Sequence, residues 1–432
     1  MSASTSAAST SAAPPTSAPT RPRSPVSTPL ILILALLTAV SPLATDMYLP
    51  AFPEMADELG TSATSIQLTL TAFLLGMGVG QLLIGPLSDS IGRRKPLLVG
   101  SVVCLVATVA CAVAPNVELL TVARLVQGLS GAAGVVLARA IISDTARGAA
   151  AAKLIGVMMV IMVIAPVVAP LAGGAIVAST SWRVVFWALS ALTALMLLGA
   201  VTLAKETLPP SERHPGGFAS VIQGARTVLA NRSYVGYLLT FCFSFAALFA
   251  YISASPFVVQ NVLGFSEGQF SLVFGGNALL VVLTSSVAAA LAGRVSYRRM
   301  VVGGVTVMTL ASVGLLVSAL SGLPTVPTLV LFAIFQGSLG FIFSNATALA
   351  LAQVTSHAGT GSAFLGFVQF LLAAAITPLV GIGGEHTAVP MAVAMLVCTV
   401  LSMLAFATLT PRAETPVVEQ TEALPTDRAL TH

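Results

Sequence analysis

The sequence predicts an all-α membrane protein with twelve transmembrane helices. Of its 432 residues, 56% are hydrophobic and only 8% are charged, and the mean hydropathy is +0.97. A soluble domain has about 25% charged residues, so water cannot be the main solvent of this chain. Apolar runs of about 20 residues, long enough to cross a hydrocarbon core of about 30 Å, recur between short polar or Gly/Pro-marked breaks.

Each apolar run is one predicted membrane span. The twelve spans are 30–49, 65–87, 96–114, 119–142, 152–178, 182–204, 233–256, 269–292, 300–320, 326–353, 361–384 and 388–409. All four cysteines, Cys104, Cys111, Cys242 and Cys398, fall inside these spans. Their spacing fits neither a metal site nor a redox pair, so we expect small packing residues.

The longest internal break divides the spans six and six. It covers residues 205–232 and predicts a cytoplasmic linker between an N-terminal bundle, 30–204, and a C-terminal bundle, 233–410. Residues 1–29 are rich in Ser, Ala, Thr and Pro and cannot bury a core, so we expect a disordered cytoplasmic tail. Residues 411–432 form a second predicted tail.

A weak internal echo favours a duplicated design. "RKPLLVG" (94–100) follows the second span and "RRMVVGG" (298–304) follows the eighth, an offset of 204 residues. A basic pair before an apolar run is common, so the echo alone carries little weight.

The basic residues predict the orientation in the membrane. Sixteen of the 19 Lys and Arg residues fall in the two tails and the even-numbered loops. They are Arg21, Arg23, Arg93, Arg94, Lys95, Arg147, Lys153, Lys205, Arg213, Arg226, Arg232, Arg294, Arg298, Arg299, Arg412 and Arg428. The odd loops hold only Arg183, so the positive-inside rule places both termini in the cytoplasm. The net charge of +4 therefore reflects topology and requires no nucleic-acid partner.

Few ionisable residues fall within the spans, and an aspartate at a span centre costs about 2.5 to 3.5 kcal/mol. If the first span ends near Pro50, Asp46 lies about 6 Å below the outer boundary and Arg124 of the fourth span about 8 Å below it. The two side chains could therefore meet. Arg139 lies near the inner end of the fourth span, close in sequence to Asp144, and we expect a structural role for it.

Helix dipoles do not explain Asp46 or Arg124, because each lies at the wrong end of its helix. Burial favours the neutral form of Asp46, whereas a neighbouring arginine favours the carboxylate, so its proton affinity depends on which neighbours are close. A proton-coupling site requires this property. The alternative is that Asp46 reaches the outer interface and only terminates its helix.

The loop after the second span, "GPLSDSIGRRKP" (85–96), combines one acid with three bases. A positive-inside anchor explains the bases but neither the acid nor the glycines. The loop resembles the signature of the major facilitator superfamily, Gly-x-x-x-Asp-Arg-x-Gly-Arg-Arg. Gly85, Asp89, Gly92, Arg93 and Arg94 match it, whereas Ser90 replaces the usual Arg. The resemblance implies the major facilitator fold and a conformational gating role for the matching residues.

Further segments resemble the bicyclomycin-resistance, or Bcr/CflA, branch of drug:proton antiporters. They are "TDMYLPAFP", "RLVQG", "LARAIISD", "APVVAPLAGG", "WRVVFW", "ETLPP", "YISASPFV" and "SNATALAL", and they cover nearly the whole chain outside its tails. The resemblance implies that Asp46 takes part in proton and drug exchange and Arg124 in proton coupling. It also implies that a proton gradient supplies the energy, without a cofactor.

The fifth span has a stripe of small residues, Ala165, Ala169 and Gly173, where another helix can approach closely. Pro166 and Pro170 interrupt the backbone hydrogen bonds beside this stripe. The segment, with Gly174, resembles the antiporter motif of exporters, which favours export over uptake. The alternative is ordinary tight packing.

Polar and aromatic residues within the second bundle are candidates for the lining of a central cavity. They are Tyr251, Asn277, Gln336, Asn345 and Gln369. Most polar residues inside spans merely bridge helices, which is the alternative for each. Few carboxylates are available in such a cavity, and this favours amphipathic substrates recognised by shape and apolar contact.

These observations predict a monomeric transporter of the cytoplasmic membrane that expels small amphipathic drugs or antibiotics in exchange for protons by alternating access. Proton-coupled uptake, or metabolite export on the same fold, is the alternative. A membrane enzyme is disfavoured, because the sequence has no HExxH motif, no paired intramembrane acids and no phosphate-binding glycine loop. No metal site is predicted.

Overall fold

The computed structural model describes residues 28–146, 148–213 and 217–411, and every regular element in these ranges is helical. Twelve of the helices are long and apolar enough to cross a membrane, which confirms the predicted fold class. We number them α1 (Thr28–Asp46), α2 (Ala63–Ile91), α3 (Arg94–Ala112), α4 (Val117–Thr145), α5 (Gly148–Val177), α6 (Trp182–Leu203), α7 (Arg232–Phe257), α8 (Glu267–Ala290), α9 (Tyr297–Leu320), α10 (Thr325–Ala352), α11 (Ala358–Ile376) and α12 (Val389–Leu409). The predicted disorder of the two tails concerns residues that lie almost entirely outside the described ranges.

Polar residues in the short breaks cap the helices. Asn116 accepts a hydrogen bond from the backbone N–H of Leu119 (2.9 Å) and begins α4. Ser266 and Gln269 form a reciprocal capping box at the start of α8. These side chains satisfy backbone donors that have no partner within the helix, so the breaks determine where spans begin.

The first membrane segment is longer than predicted. The regular helix ends at Asp46, but the chain continues through a 3₁₀ turn (Leu49–Ala51) into a short helix (Phe52–Glu58). Pro50 does not end the segment, because it stands in the first turn of the 3₁₀ helix, where no N–H donor is needed. The candidate span ends at Glu58, twelve residues after Asp46, and therefore ends later than predicted.

The two halves of the chain repeat one packing scheme. In the first bundle α2 packs on α4, α3 on α6 and α1 on α5; in the second, α8 packs on α10, α9 on α12 and α7 on α11. Arg94 donates from Nε to the carbonyl oxygen of Ala204 just after α6 (2.9 Å). Arg298, at the equivalent place in the sequence echo, donates to Oγ1 of Thr410 just after α12 (2.7 Å). The echo therefore marks equivalent positions of a duplicated architecture.

The bundles contact each other through α2 with α11 and through α5 with α8. Three hydrogen bonds between described residues join them, all on the predicted outer side. Thr64 donates to the carbonyl oxygen of Gly381 (2.9 Å), Gln67 to that of Ser253 (3.0 Å), and Gln260 to that of Pro50 (3.0 Å). The two bundles are therefore joined on this side of the molecule.

The linker contains a helix that the sequence analysis did not predict, Gly217–Ala230. It packs against α2 and α11. A Cβ added to Gly224 would lie 2.9 Å from Oγ1 of Thr360, so this contact is close.

Candidate transport site

Asp46, the last residue of α1, is buried within the first bundle and only 5% exposed. It takes part in none of the ion pairs found among the described residues. The helix before it contains Pro42, and Thr45 turns its hydroxyl back to the carbonyl oxygens of Ser41 and Pro42. A carboxyl group buried without a counter-ion is much more stable when it is protonated.

Arg124 of α4 is fully buried at the same level of the bundle. Its Nη1 donates to the carbonyl oxygen of Ala44 (2.9 Å) and to Oε1 of Gln127 (2.7 Å). The guanidinium carbon lies 4.4 Å from the ring centroids of both Tyr48 and Phe73. Arg124 therefore links α4 to the segment around Asp46 by a backbone hydrogen bond and by aromatic stacking.

The sequence suggested that Asp46 and Arg124 could meet. The structure brings Arg124 to the carbonyl group two residues before Asp46, but no ion pair forms between them. Nε and Nη2 of Arg124 are buried and have no hydrogen-bond partner. Two donors of this guanidinium therefore remain available to an acceptor.

The small-residue stripe of α5 lies where helices approach most closely. A Cβ on Gly173 would lie 1.8 Å from the carbonyl oxygen of Met47, the residue after Asp46. A Cβ on Gly174 would lie 2.0 Å from Oγ of Ser271 in the second bundle. Pro166 and Pro170 lie within one continuous helix. The motif thus joins the Asp46 segment on one side to the second bundle on the other.

The loop signature forms an ionic cluster around Arg93. Arg93 donates to Asp89 (2.5 Å), to Oγ of Ser88 (2.6 Å) and to Oδ2 of Asp144 at the end of α4 (3.1 Å). Burial opposes the charge of Arg93, but the hydrogen bonds to Asp144 and Asp89 raise its pKa above the usual value. The side chain of Asp89 keeps 51% of its surface exposed.

Glu206, just after α6, completes the cluster. Its Oε1 accepts the backbone N–H of Arg93 (2.8 Å), and Arg213 lies 3.8 Å from its Oε2. Partial burial raises the pKa of Glu206. This effect is outweighed by hydrogen bonds from the backbone N–H groups of Arg93, Leu208 and Arg94 and by the charge of Arg213, so the pKa lies below its usual value.

Gly92 is required at the turn between α2 and α3. Its φ of +100° is rarely adopted by residues with a Cβ, and a Cβ here would lie 2.4 Å from Oε2 of Glu206. By contrast, a Cβ on Gly85 would have only Val136 within 4 Å. Ser90 donates to the carbonyl oxygen of Leu87 (2.8 Å) within its own helix. The position that lacks the family arginine therefore makes only a local bond.

The sequence analysis did not place Asp144 and Glu206 in this cluster. Their signals were the segments "LARAIISD" and "ETLPP", which end the fourth and sixth spans. Asp144 accepts from Arg93 and from Oγ1 of Thr207, and Arg139, five residues earlier on α4, is not part of this cluster.

Three of the cavity candidates converge in the second bundle. Asn277 of α8 donates to Oη of Tyr251 (3.0 Å), and Gln336 of α10 adjoins the same hydroxyl. All three are buried, and Oε1 of Gln336 has no partner. The ring of Tyr251 packs between Phe274 and Phe332, with centroids 5.7 and 5.0 Å away.

The other two candidates lie apart from this group. Asn345 donates to the carbonyl oxygen of Phe341 (2.8 Å) and contacts Met300 of α9, so it bridges two helices. Gln369 is half-buried on α11.

Two six-helix bundles that share one packing scheme and bury charged residues in an apolar interior have the architecture of a membrane carrier. The chain belongs to the Major Facilitator Superfamily, which it matches over residues 34–378. The predicted family is therefore confirmed.

Several curated relatives align along almost their whole length. An uncharacterized MFS-type transporter of Bacillus subtilis, YdgK, is 38% identical over 88% of this chain and 95% of its own. A bicyclomycin resistance protein homolog of Haemophilus influenzae is 32% identical over 88% of this chain and 96% of its own. The multidrug resistance protein MdtL of Klebsiella pneumoniae is 28% identical over 87% and 94%. These names agree with the branch predicted from the motifs.

Solved structures support the fold. The crystal structure of a D-xylose-proton symporter superposes with a TM-score of 0.72 at 15% identity, covering 89% of this chain and 98% of the symporter. At this identity the likeness concerns the fold alone.

Proposed function

We propose that this chain expels small amphipathic drugs or antibiotics from the cytoplasm in exchange for protons. Two of its relatives are named for bicyclomycin and multidrug resistance, which supports the substrate class. The observation that carries the exchange mechanism is the buried Asp46 carboxyl group, which has no ion-pair partner among the described residues.

In this proposal Asp46 takes up a proton from the outer side and is neutral when it is buried, as in the state closed to the outside. Substrate entering from the cytoplasm displaces the proton. The carboxylate then needs a positive partner, and the two unused donors of Arg124 lie near the backbone that precedes Asp46. A charge-assisted hydrogen bond between the two would stabilise the deprotonated state and move the end of α1.

The motion of α1 can be transmitted to the second bundle through α5. Met47 packs against Gly173, and the next residue, Gly174, packs against Ser271 of α8. A change in the Asp46 segment therefore alters the contact between α5 and α8, about which the two bundles move relative to each other.

The loop cluster acts by holding the inner ends of α2, α3, α4 and α6 together, since its partners Asp89, Arg93, Asp144 and Glu206 all lie in the first half of the chain. Asp89 is half exposed, and we propose that it contacts the second bundle when the inner side closes. This contact would stabilise the outward-facing state.

Proton release on substrate addition tests the exchange. Asp46→Asn keeps the size and hydrogen-bonding capacity of the side chain but cannot release a proton. The matched control is Asp57→Asn, the same change at an exposed aspartate. Substrates come from an antibiotic susceptibility panel, including bicyclomycin and chloramphenicol, in an efflux-deficient host. We expect purified wild type and Asp57→Asn to release protons and Asp46→Asn to release none. Equal release by all three would exclude Asp46 as the coupling group.

The direction of coupled proton movement separates export from uptake. In proteoliposomes, antiport moves protons opposite to substrate, whereas proton-coupled uptake moves both the same way. A substrate-driven pH change of the symport sign would contradict the proposal.

We further propose that the protein works as a monomer in the cytoplasmic membrane, with both termini in the cytoplasm and without a cofactor. The distribution of the basic residues supports this orientation. A reporter fused after Arg412 should be active only if it functions in the cytoplasm. Activity of a reporter that requires export would overturn the assignment.

A further inference from the structure

Arg139 of α4 is a charged residue that the proposed proton exchange does not use. Among the described residues its one polar contact is from Nη2 to Sδ of Met162 in α5, at 3.9 Å, and a thioether is a weak acceptor. No carboxylate of the described residues lies within ion-pair distance of it. Arg139 is therefore a cation without a protein counter-ion in this part of the chain.

The guanidinium reaches the apolar part of α5, a helix long and apolar enough to cross a membrane. Since α4 runs inward, its Cβ atoms point back toward the outer side, away from the cytoplasm. Met162, which the guanidinium reaches, is the fifteenth of the thirty residues of α5. Met162 also lies about 14 Å along the helix from Lys153, the last charged residue before the apolar run. An anchor would instead carry its charge to the interface, so anchoring does not explain Arg139.

The side chain of Arg139 is nevertheless exposed, whereas its neighbours Ala138 and Ile141 are buried in the packing against α1. Met162 lies just inward of Val167, the level at which α5 packs on Gly275 of α8. Arg139 is therefore exposed beside α5, inward of the contact between α5 and the second bundle. A charge exposed to lipid at this depth would cost several kcal/mol, which favours a water-filled crevice.

We propose that Arg139 binds the anionic group of an amphipathic molecule: a carboxylate, sulfonate or phosphate on an apolar body. The planar guanidinium can bind such a group with two parallel hydrogen bonds, and the adaptable side chain of Met162 can contact the apolar part. This inference rests on the proposed transport function and narrows its substrates to anionic or zwitterionic amphiphiles. A drug or an anionic lipid headgroup could supply the same chemistry.

A matched pair of fluorescent probes tests the site. Anilinonaphthalene sulfonate and N-phenylnaphthylamine share an aromatic body, but only the first carries a sulfonate. Both are titrated into the full-length protein in phosphatidylcholine nanodiscs, with empty discs subtracted, for wild type, Arg139→Gln and Arg139→Lys. Arg226→Gln, a change at an exposed base of the linker helix, controls for general charge effects.

We expect wild type and Arg226→Gln to bind the sulfonate about tenfold more tightly than the neutral probe, the scale of one charge-assisted pair. Arg139→Gln should abolish this preference and leave the neutral probe within about twofold, which also shows that the variant is folded. Arg139→Lys should keep part of the preference. A wild type that does not prefer the sulfonate, or an Arg139→Gln variant that still does, would overturn the proposal.

Discs that contain phosphatidylglycerol distinguish the two sources of the anion. Displacement of the sulfonate probe from wild type by this lipid assigns the site to a headgroup, and unchanged binding assigns it to a free amphiphile. The test is independent of transport, because a probe preference that depends on Arg139 would persist even if Asp46 released no protons.

Discussion

At the scale of single residues, the shape of Arg124 matters as much as its charge. One nitrogen of its guanidinium bonds both to the carbonyl oxygen of Ala44 and to Gln127, while the planar group stacks on Tyr48 and Phe73. Lysine would keep the charge, but it lacks the several fixed N–H donors of the guanidinium and the planar surface that stacks on the rings. The same replacement at Arg294, whose side chain is exposed, changes much less.

We therefore expect Arg124→Lys to insert and fold but to transport about tenfold more slowly, because a buried charge-assisted contact is lost. Arg294→Lys should transport within about twofold of wild type, as expected for an exposed side chain. Initial uptake rates into everted vesicles, at matched expression, provide the comparison. Full activity of Arg124→Lys would show that only the charge is required.

At the scale of structural elements, the position of α5 depends on its close contact with the residue that follows α1. Gly173→Ala should lower the free energy of unfolding by about 1 to 3 kcal/mol, because the new methyl group overlaps the backbone of Met47 and cannot be relieved by a rotamer change. Gly156→Ala, in the same helix, has open space and should cause no loss. Thermal unfolding in detergent checks both variants, and an equally stable Gly173→Ala would contradict the packing.

The loop element gives a second comparison. Asp89→Ala removes the ion pair that orients Arg93, whereas Ser90→Ala removes only a bond within one helical turn. We expect Asp89→Ala to impair transport several-fold and Ser90→Ala to leave it nearly unchanged, since the cluster depends on the charge-assisted contacts of Arg93. Drug accumulation in cells at equal expression is the measurement. Equal transport by Asp89→Ala and wild type would exclude a gating role for the acid.

At the scale of the whole molecule, Gly174 controls how closely the bundles approach. A methyl group there would overlap Ser271 of the other bundle, so Gly174→Ala should shift the population toward the state that is open to the outside. Spin labels at the exposed positions Asp57 and His386, in a variant without native cysteines, report the outer separation. The fraction of molecules with a long distance between the two labels should rise in Gly174→Ala. It should return to the wild-type value when Ser271→Gly is added. No change in separation would refute this role.

Sequence reasoning predicted the number of spans, the helical class and the family because these follow from one-dimensional information. A span is an apolar run of sufficient length, and a backbone in lipid must satisfy its own hydrogen bonds, so α1 to α12 could be read in order. The loop and α5 motifs were equally visible, since their residues are contiguous. Gly92 is an example from the loop signature, and Gly173 is an example from the small-residue stripe of α5.

The partners of the buried charges depended on the tertiary structure. Arg93 bonds to Asp144, and Arg124 bonds to the carbonyl oxygen of Ala44. Each contact joins residues distant in sequence, and which ones meet is decided by helix rotation and tilt, which hydropathy does not encode. Arg139 and Asp144 show the same dependence within one helix. They lie five residues apart on α4, yet Asp144 bonds to Arg93 in the loop cluster whereas Arg139 contacts Met162 of α5, a difference that only the rotation of α4 about its axis decides.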